Sequence, residues 1–73
     1  MADSPYTVSD KALSDIASRV VPFTVCVDGR PVIVRRSNGQ HFYMQYREAA
    51  GAQRAMLRVV PFLPRAEVVV TDG

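Results

Sequence analysis

The chain has 73 residues, a length that accommodates one domain and no more. Hydrophobic residues make up 48% of it, which argues against a disordered chain, and no apolar run approaches the ~20 residues of a membrane-spanning helix. A single cysteine excludes an internal disulfide, and one cysteine with one histidine cannot complete a zinc site of the usual kind. We therefore expect one domain over residues 1–73, with residues 1–6 as a loose terminus and with neither cofactor nor metal.

The charges are distributed unevenly, although the formal net charge is only +2. Residues 30–65 hold seven arginines and one acidic residue, whereas residues 1–28 hold two basic residues and four aspartates. This polarity indicates a face that favours anions, and it is equally typical of a solvated surface in an arginine-rich chain. The lone cysteine and the absence of a basic and apolar start predict a cytoplasmic protein with no membrane partner.

The first predicted element is a helix over residues 8–20. Thr7 or Ser9 supplies a hydroxyl to cap its N-terminus, and Pro22 ends it because proline has no N–H to donate. Its apolar residues follow the spacing i, i+3, i+4, i+7, which is typical of an amphipathic helix. The members of this stripe are Leu13, Ile16, Ala17 and Val20.

A β-hairpin is predicted next, with strands over residues 23–27 and 30–36 that are rich in β-branched residues. Asp28-Gly29 between them is a strong signal for a two-residue turn in which both residues adopt positive φ. The resulting register pairs Val27 with Arg30, Val25 with Val32 and Phe23 with Val34. All of these except Arg30 then lie on one apolar face, while the opposite face carries Thr24, Cys26, Pro31, Ile33 and Arg35.

The next turn, with the sequence Ser-Asn-Gly, leads into a third strand over residues 40–45. A two-residue loop would set Tyr43 opposite Val34, whereas a three-residue loop with a left-handed glycine would set Phe42 there. A slip of one residue exchanges the two faces of a strand. We favour the three-residue loop, because it adds Phe42 and Met44 to the apolar face.

A second helix is predicted over residues 47–60, ended by Pro61, and a last strand over residues 66–71. Gly51 weakens this helix by roughly 1 kcal/mol relative to alanine, and such a glycine often marks a close approach to a strand or a partner. The expected buried stripe contains Ala49, Ala52, Met56, Val59 and Val60. A second, cationic stripe contains Arg47, Arg54 and Arg58.

The predicted element order is α-β-β-β-α-β, which defines an α+β fold with a four-stranded, mostly antiparallel sheet. A right-handed crossover makes the last strand parallel to the third, and hence also to the first, beside which it can add. The expected sheet order is 4-1-2-3, with both helices on the valine face.

No set of residues in the sequence forms a catalytic constellation. Cys26 lies in mid-strand with no base nearby, His41 follows a turn, and the aspartates are dispersed. The four glycines are too far apart to form one phosphate-binding loop. We therefore expect a protein that binds rather than an enzyme.

Two surfaces are the candidates for binding. One is the exposed sheet face, where Arg35, His41 and Tyr43 would lie together with Thr24 and Cys26. Tyrosine beside arginine is typical of protein interfaces, and the same mixture stacks single-stranded bases. The other is the cationic stripe, which could meet phosphate, acidic protein or only solvent. The complete candidate set is Arg35, Arg36, His41, Tyr43, Arg47, Arg54 and Arg58.

Two families share parts of this pattern. The Phe-Thr-Val start of the sheet at residues 23–25 and the Arg-Glu-Ala-Ala helix start at residues 47–50 resemble a double-stranded RNA-binding domain over residues 8–60, which implies contact with RNA. The Asp28-Gly29 loop is shorter than the groove-reaching loop of that family. The second helix of that family begins with a basic cluster, whereas this chain has only Arg47 there.

The hairpin at residues 25–34, the alanine-rich helix at residues 49–56 and the closing strand at residues 66–70 resemble small phage-encoded anti-CRISPR proteins that block type I effector complexes. That group shares no signature motif, so no residue role is carried over. The resemblance implies a non-enzymatic inhibitor that binds a protein or ribonucleoprotein complex in a bacterial host. Two alternatives stay open: a small basic nucleic-acid-binding module, and an assembly subunit that forms homodimers or larger homo-oligomers.

Overall fold

A computed structural model describes residues 4–71, and it confirms the α+β class with one α-helix and six antiparallel strands. Half of the predicted loose terminus, residues 1–3, lies outside the described part, and Tyr6 already belongs to a strand. No helix in residues 4–71 is long and apolar enough to cross a membrane. The strands are β1 (Tyr6–Val8), β2 (Phe23–Val27), β3 (Arg30–Arg35), β4 (His41–Tyr43), β5 (Gln45–Tyr46) and β6 (Glu67–Val70), and the helix is α1 (Ala49–Val59).

The predicted first helix is wrong, because the N-terminal segment pairs with β3 instead. β1 lies antiparallel to β3 with Tyr6 opposite Val34. Beyond β1, the Ser9 amide donates to the Pro31 carbonyl at 2.8 Å, so the segment continues along the same edge. Only a 3-10 turn over Leu13–Asp15 remains of the expected helix.

Serine side chains offer this segment an alternative to helical hydrogen bonds. The Ser9 hydroxyl accepts from the Lys11 amide at 3.0 Å, and the Ser18 hydroxyl accepts from the Val20 amide at 3.2 Å. Such local bonds compete with a helix, and a short helix is marginal in water unless packing stabilises it. Val20, a member of the expected stripe, is 66% exposed, so that packing is missing.

The Asp28-Gly29 turn is confirmed. Both residues have positive φ, 53° and 78°, and Val27 lies opposite Arg30. The expected pairing of Val25 with Val32 is wrong, however, because the two strands separate beyond the turn.

Met44 occupies the point where β2 and β3 separate. Its carbonyl accepts from the Val25 amide at 3.0 Å, and its amide donates to the Val32 carbonyl at 3.1 Å. β4 before it runs antiparallel to β3, and β5 after it runs antiparallel to β2. The chain therefore reverses its direction relative to the hairpin at Met44: β4 runs towards the Asp28-Gly29 turn, and β5 runs away from it. We call this arrangement the fork, with β3–β4 as one arm, β2–β5 as the other, and Met44 at the vertex.

The three-residue loop before β4 has the favoured register. Val34 lies opposite Phe42, the Arg36 amide donates to the Gln40 carbonyl at 2.9 Å, and Gly39 has a φ of 85°. The side chain of Met44 is only 5% exposed and joins the apolar face as expected.

β6 adds beside β2, the neighbour that the sequence predicts, but its orientation differs. It is antiparallel to β2 rather than parallel, with Val25 opposite Val68. The reason is the reversal at Met44: β5 and β6 run in the same direction on either side of β2, so a crossover through α1 joins two strands that point the same way. The predicted strands 4, 1, 2 and 3 correspond to β6, β2, β3 and β4, and all three predicted pairs of neighbours are present. The predicted count of four strands is wrong, because β1 and β5 also belong to the sheet.

α1 begins at Ala49, so Arg47 lies outside it, and its bound at Val59 is one residue short of the predicted end. A Cβ placed on Gly51 would lie 3.6 Å from Cδ1 of Tyr46, which is an ordinary van der Waals distance, so this contact with β5 does not require a glycine. Ala52 and Val59 are buried as predicted, whereas Ala49 is exposed and Ala55 takes its place in the core. The core cluster consists of Val25, Val32, Met44, Ala55 and Val59.

The face of β2 that points away from α1 is also buried, which corrects the expectation of an open surface there. Thr24 and Cys26 are fully buried. Gln45 pairs with Thr24, and its side-chain Nε2 donates to the Ile16 carbonyl at 3.2 Å. The segment between β1 and β2 therefore covers this face, so the single helix and the irregular segment lie on opposite sides of the sheet.

We predict that Met44→Ala destabilises the protein by about 2–5 kcal/mol, because it leaves a cavity at the vertex of the fork. A core of this size contributes only ~3–5 kcal/mol of net stability, so the variant should unfold at much lower urea concentration, as followed by circular dichroism. Leu57→Ala is the control: Leu57 is 65% exposed, and its loss should change stability by no more than about 0.5 kcal/mol. Equal midpoints for the two variants would contradict a central role for Met44.

Candidate functional site

A cleft of about 410 Å³ opens between the β3–β4 arm of the fork and α1. Its floor is apolar and belongs to the core cluster or packs against it, whereas its walls carry the cationic and hydroxyl groups. We call it the cleft, and its lining residues are Tyr6, Val34, Arg36, Ser37, Met44, Tyr46, Ala55 and Arg58.

Two arginines on the walls come from different elements. Arg36 directly follows β3, and Arg58 lies in the last turn of α1. Neither forms an ion pair with a carboxylate among the described residues. The Arg65–Asp28 ion pair, at 3.3 Å, lies outside the cleft. Uncompensated guanidinium groups that face one concave surface favour an anionic ligand.

Two tyrosines complete the polar wall. Tyr6 comes from the edge strand β1, and Tyr46 comes from β5 next to α1. Burial raises the pKa of Tyr46, and nearby Tyr6 adds to this, while the positive charges of Arg58 and Arg36 oppose it. The Tyr46 phenol therefore stays protonated at neutral pH and can donate a hydrogen bond.

Exposed aromatic rings flank the cleft. The Arg36 guanidinium lies 4.9 Å from the centre of the Phe42 ring, and the Tyr6 and Phe62 rings are 5.5 Å apart. Phe42 is 42% exposed and Phe62 is 48% exposed, although both are large apolar side chains. We call these two residues the aromatic rim.

The predicted sheet-face surface is assembled in part. Arg35 pairs with His41 and Ile33 with Tyr43, so all four side chains lie on one face of the β3–β4 arm. Arg35 and His41 are exposed and Tyr43 is half-buried. Thr24 and Cys26, which the sequence places on the same face, are buried beneath the N-terminal segment instead.

The predicted cationic stripe is reduced to two residues. Arg54 and Arg58 are exposed and one helical turn apart on α1, but Arg47 precedes the helix and cannot extend the stripe. Arg36 instead joins Arg58 across the cleft.

The tyrosines and the aromatic rim were not among the predicted site residues. Tyr6 carries no local signal, because it falls in a segment predicted to be loose. Tyr46 and Phe62 follow predicted elements in sequence, and only the reversal at Met44 and the path after α1 bring them towards Tyr6. Their grouping depends on long-range pairing that residue spacing does not encode.

Cys26 and His41 do not form a reactive pair. Cys26 is fully buried, and burial together with the negative charge of Glu67 raises its pKa from 9.0 to about 11. Its thiol donates to the Thr24 carbonyl with a separation of 3.7 Å, whereas His41 is exposed on the other arm of the fork. The described residues contain no group of three or more histidine, cysteine or acidic side chains that could hold a metal ion.

Comparison of the chain with protein-family models, with curated proteins and with solved structures finds no match.

We predict that Cys26 in the folded protein reacts with iodoacetamide at pH 8 at least ~100-fold more slowly than in the urea-unfolded chain, because two pKa units reduce the thiolate fraction by that factor. Mass spectrometry of timed samples measures the rate. Since the folded pKa lies above the unfolded one, ionisation of this thiol lowers the free energy of unfolding only as the pH rises from 9 towards about 11. Equal alkylation rates for folded and unfolded chains would contradict the burial of Cys26.

Proposed function

We propose that this chain is a non-enzymatic inhibitor that binds a protein or ribonucleoprotein complex through the cleft and its aromatic rim. In its most specific form, the proposal is that the chain blocks a type I CRISPR effector complex, as its resemblance to small anti-CRISPR proteins implies. The inhibitor would act by occupying a surface that the complex needs.

The observation that carries the proposal is the combination of uncompensated arginines and exposed phenylalanines around one concavity. Arg36 and Arg58 face the cleft without carboxylate partners, and Phe42 and Phe62 flank it. Aromatic residues and arginine are enriched at the energetic centres of protein interfaces, where a partner excludes water from them.

The chemistry of the remaining candidates favours binding over catalysis. A nucleophilic cysteine needs a lowered pKa and access to a substrate, and the thiol of Cys26 has the opposite properties. His41 has no nucleophile or carboxylate hydrogen-bonded to it within residues 4–71. The cleft itself is rich in hydrogen-bond donors but has no acidic lining residue that could serve as a general base.

We predict that the tagged chain retains a purified type I effector complex and that Arg58→Glu weakens this binding by about 10-fold or more, since a buried interface arginine is a typical hot spot. Arg54→Glu is the matched control, with the same charge reversal one helical turn away and outside the cleft. It should weaken binding by no more than about threefold, because rim charges have small effects. Surface plasmon resonance measures both.

Two results would contradict the proposal. One is that the complex is not retained and that expression of the chain does not protect phage in a plating assay. The other is an equal loss for Arg54→Glu and Arg58→Glu, which would indicate a general charge effect rather than a contact at the cleft.

A second candidate function is a nucleic-acid-binding module that uses the sheet face. The observation in its favour is the pairing that gathers Arg35, His41 and Tyr43 on one face of the β3–β4 arm. An aromatic ring beside cations on an open sheet can stack a base and neutralise its phosphate.

For this second candidate, we predict that a single-stranded RNA oligonucleotide binds in fluorescence anisotropy at low salt and that its affinity falls steeply as the salt concentration rises. Tyr43→Ala should weaken binding by about 5-fold or more, since stacking on one ring contributes ~1–3 kcal/mol per base. Binding that is unchanged in Tyr43→Ala, or absent at low salt, would exclude the sheet face as a nucleic-acid site.

A further inference from the structure

All the polar side chains of the cleft can donate hydrogen bonds, and the two arginines can only donate. Arg36 and Arg58 each offer five N–H groups and no acceptor, and Tyr6, Tyr46 and Ser37 add three hydroxyls. No aspartate or glutamate lines the cleft. This wall favours a ligand that is rich in acceptors and carries negative charge.

The two guanidinium groups favour a ligand with two negative charges. Both Arg36 and Arg58 act on the Tyr46 phenol, so an anion beside that hydroxyl would lie within the field of both. A single carboxylate carries one charge and would leave half of the positive charge uncompensated. A phosphate monoester carries between one and two charges at neutral pH and presents three terminal oxygens, to which arginine donates in a bidentate manner.

The apolar part of the cleft indicates what carries the phosphate. Val34, Met44 and Ala55 form a floor without polar side-chain groups, and the Tyr6 ring, which is tilted by 51° against the Phe62 ring, forms one wall. Flat aromatic groups pack on such surfaces. The volume of about 410 Å³ lies in the range of ~300–1,000 Å³ that is usual for whole small-molecule ligands rather than for an inorganic ion.

We propose that the cleft binds a nucleoside monophosphate group, with its phosphate between Arg36 and Arg58 and its base against the Tyr6 wall. This inference rests on the proposed function and deepens it, because a nucleotide is the group that a ribonucleoprotein partner would present at the same cleft. The Tyr46 hydroxyl donates to the phosphate, and the apolar floor excludes water beneath the base.

The experiment uses the isolated full chain, labelled with ¹⁵N and titrated with adenosine 5′-monophosphate at low salt. Amide resonances of Arg36, Ser37, Tyr46 and Arg58 should shift and saturate, whereas those of the sheet-face residue His41 should not. Adenosine without phosphate and inorganic phosphate without a base should each bind about 10-fold more weakly than the monophosphate, because each lacks one half of the recognised group.

Variants test the roles of the two arginines and of the phenol. Arg36→Gln and Arg58→Gln should each weaken binding by about 10-fold, whereas Arg54→Gln, with the same charge change outside the cleft, should weaken it by less than twofold. Tyr46→Phe keeps the ring and removes only the donor, so it should weaken binding several-fold. The dispersed amide spectrum of each variant shows whether it is folded.

Several results would overturn the inference: no saturable shift with adenosine 5′-monophosphate, equal binding of adenosine and its monophosphate, or an equal loss for Arg54→Gln and Arg58→Gln. Free phosphotyrosine that binds more tightly than the nucleotide would assign the cleft to a phosphorylated side chain instead. A chain that retains the effector complex but not the nucleotide overturns only this inference. A chain that binds the nucleotide but no complex overturns only the proposed function.

Discussion

The structure depends on the two backbone hydrogen bonds of Met44. The Met44 amide donates to the Val32 carbonyl of β3, and the Met44 carbonyl accepts from the Val25 amide of β2. One residue therefore joins both arms of the fork. Its side chain lies in the core between them. A buried backbone N–H or C=O group that lacks a hydrogen-bond partner is costly. Where β2 and β3 separate, Met44 supplies the partners for the Val25 amide and the Val32 carbonyl.

The cleft is a consequence of the fork. As the arms diverge, the β3–β4 arm carries Arg36 away from β2, while the β2–β5 arm brings Tyr46 under α1 and Arg58. The floor of the cleft is therefore part of the core itself, and its walls come from four separate segments of the chain. Arg36 and Arg58 have exposed side chains and line the same concave surface, so one ligand in the cleft could reach both. The stability of the core and the shape of the cleft thus depend on the same small group of residues.

Several features follow from the sequence because their causes are local. Asp28-Gly29 forms its turn since both positions require positive φ, and the left-handed glycine at Gly39 determines the register of the next strand. The spacing of apolar residues predicts α1 to within two residues at its start and one at its end. Of the candidate site, the sequence predicts that Arg35, His41 and Tyr43 share a face, because alternation along paired strands determines this once the register is known.

The other features were decided by tertiary structure. Residues 8–20 have helical periodicity, but pairing with β3 and local serine bonds outweigh it, since a short helix without a buried face has little stability of its own. The reversal at Met44 needs partners on two strands at once, and no local pattern specifies that. The sequence by itself determined the turns and the class of the fold, and it favoured the observed register of the β3–β4 arm. Only the tertiary structure placed Arg36 beside Arg58 and Tyr46, because hydrogen bonds between distant segments, rather than residue spacing, bring these side chains together.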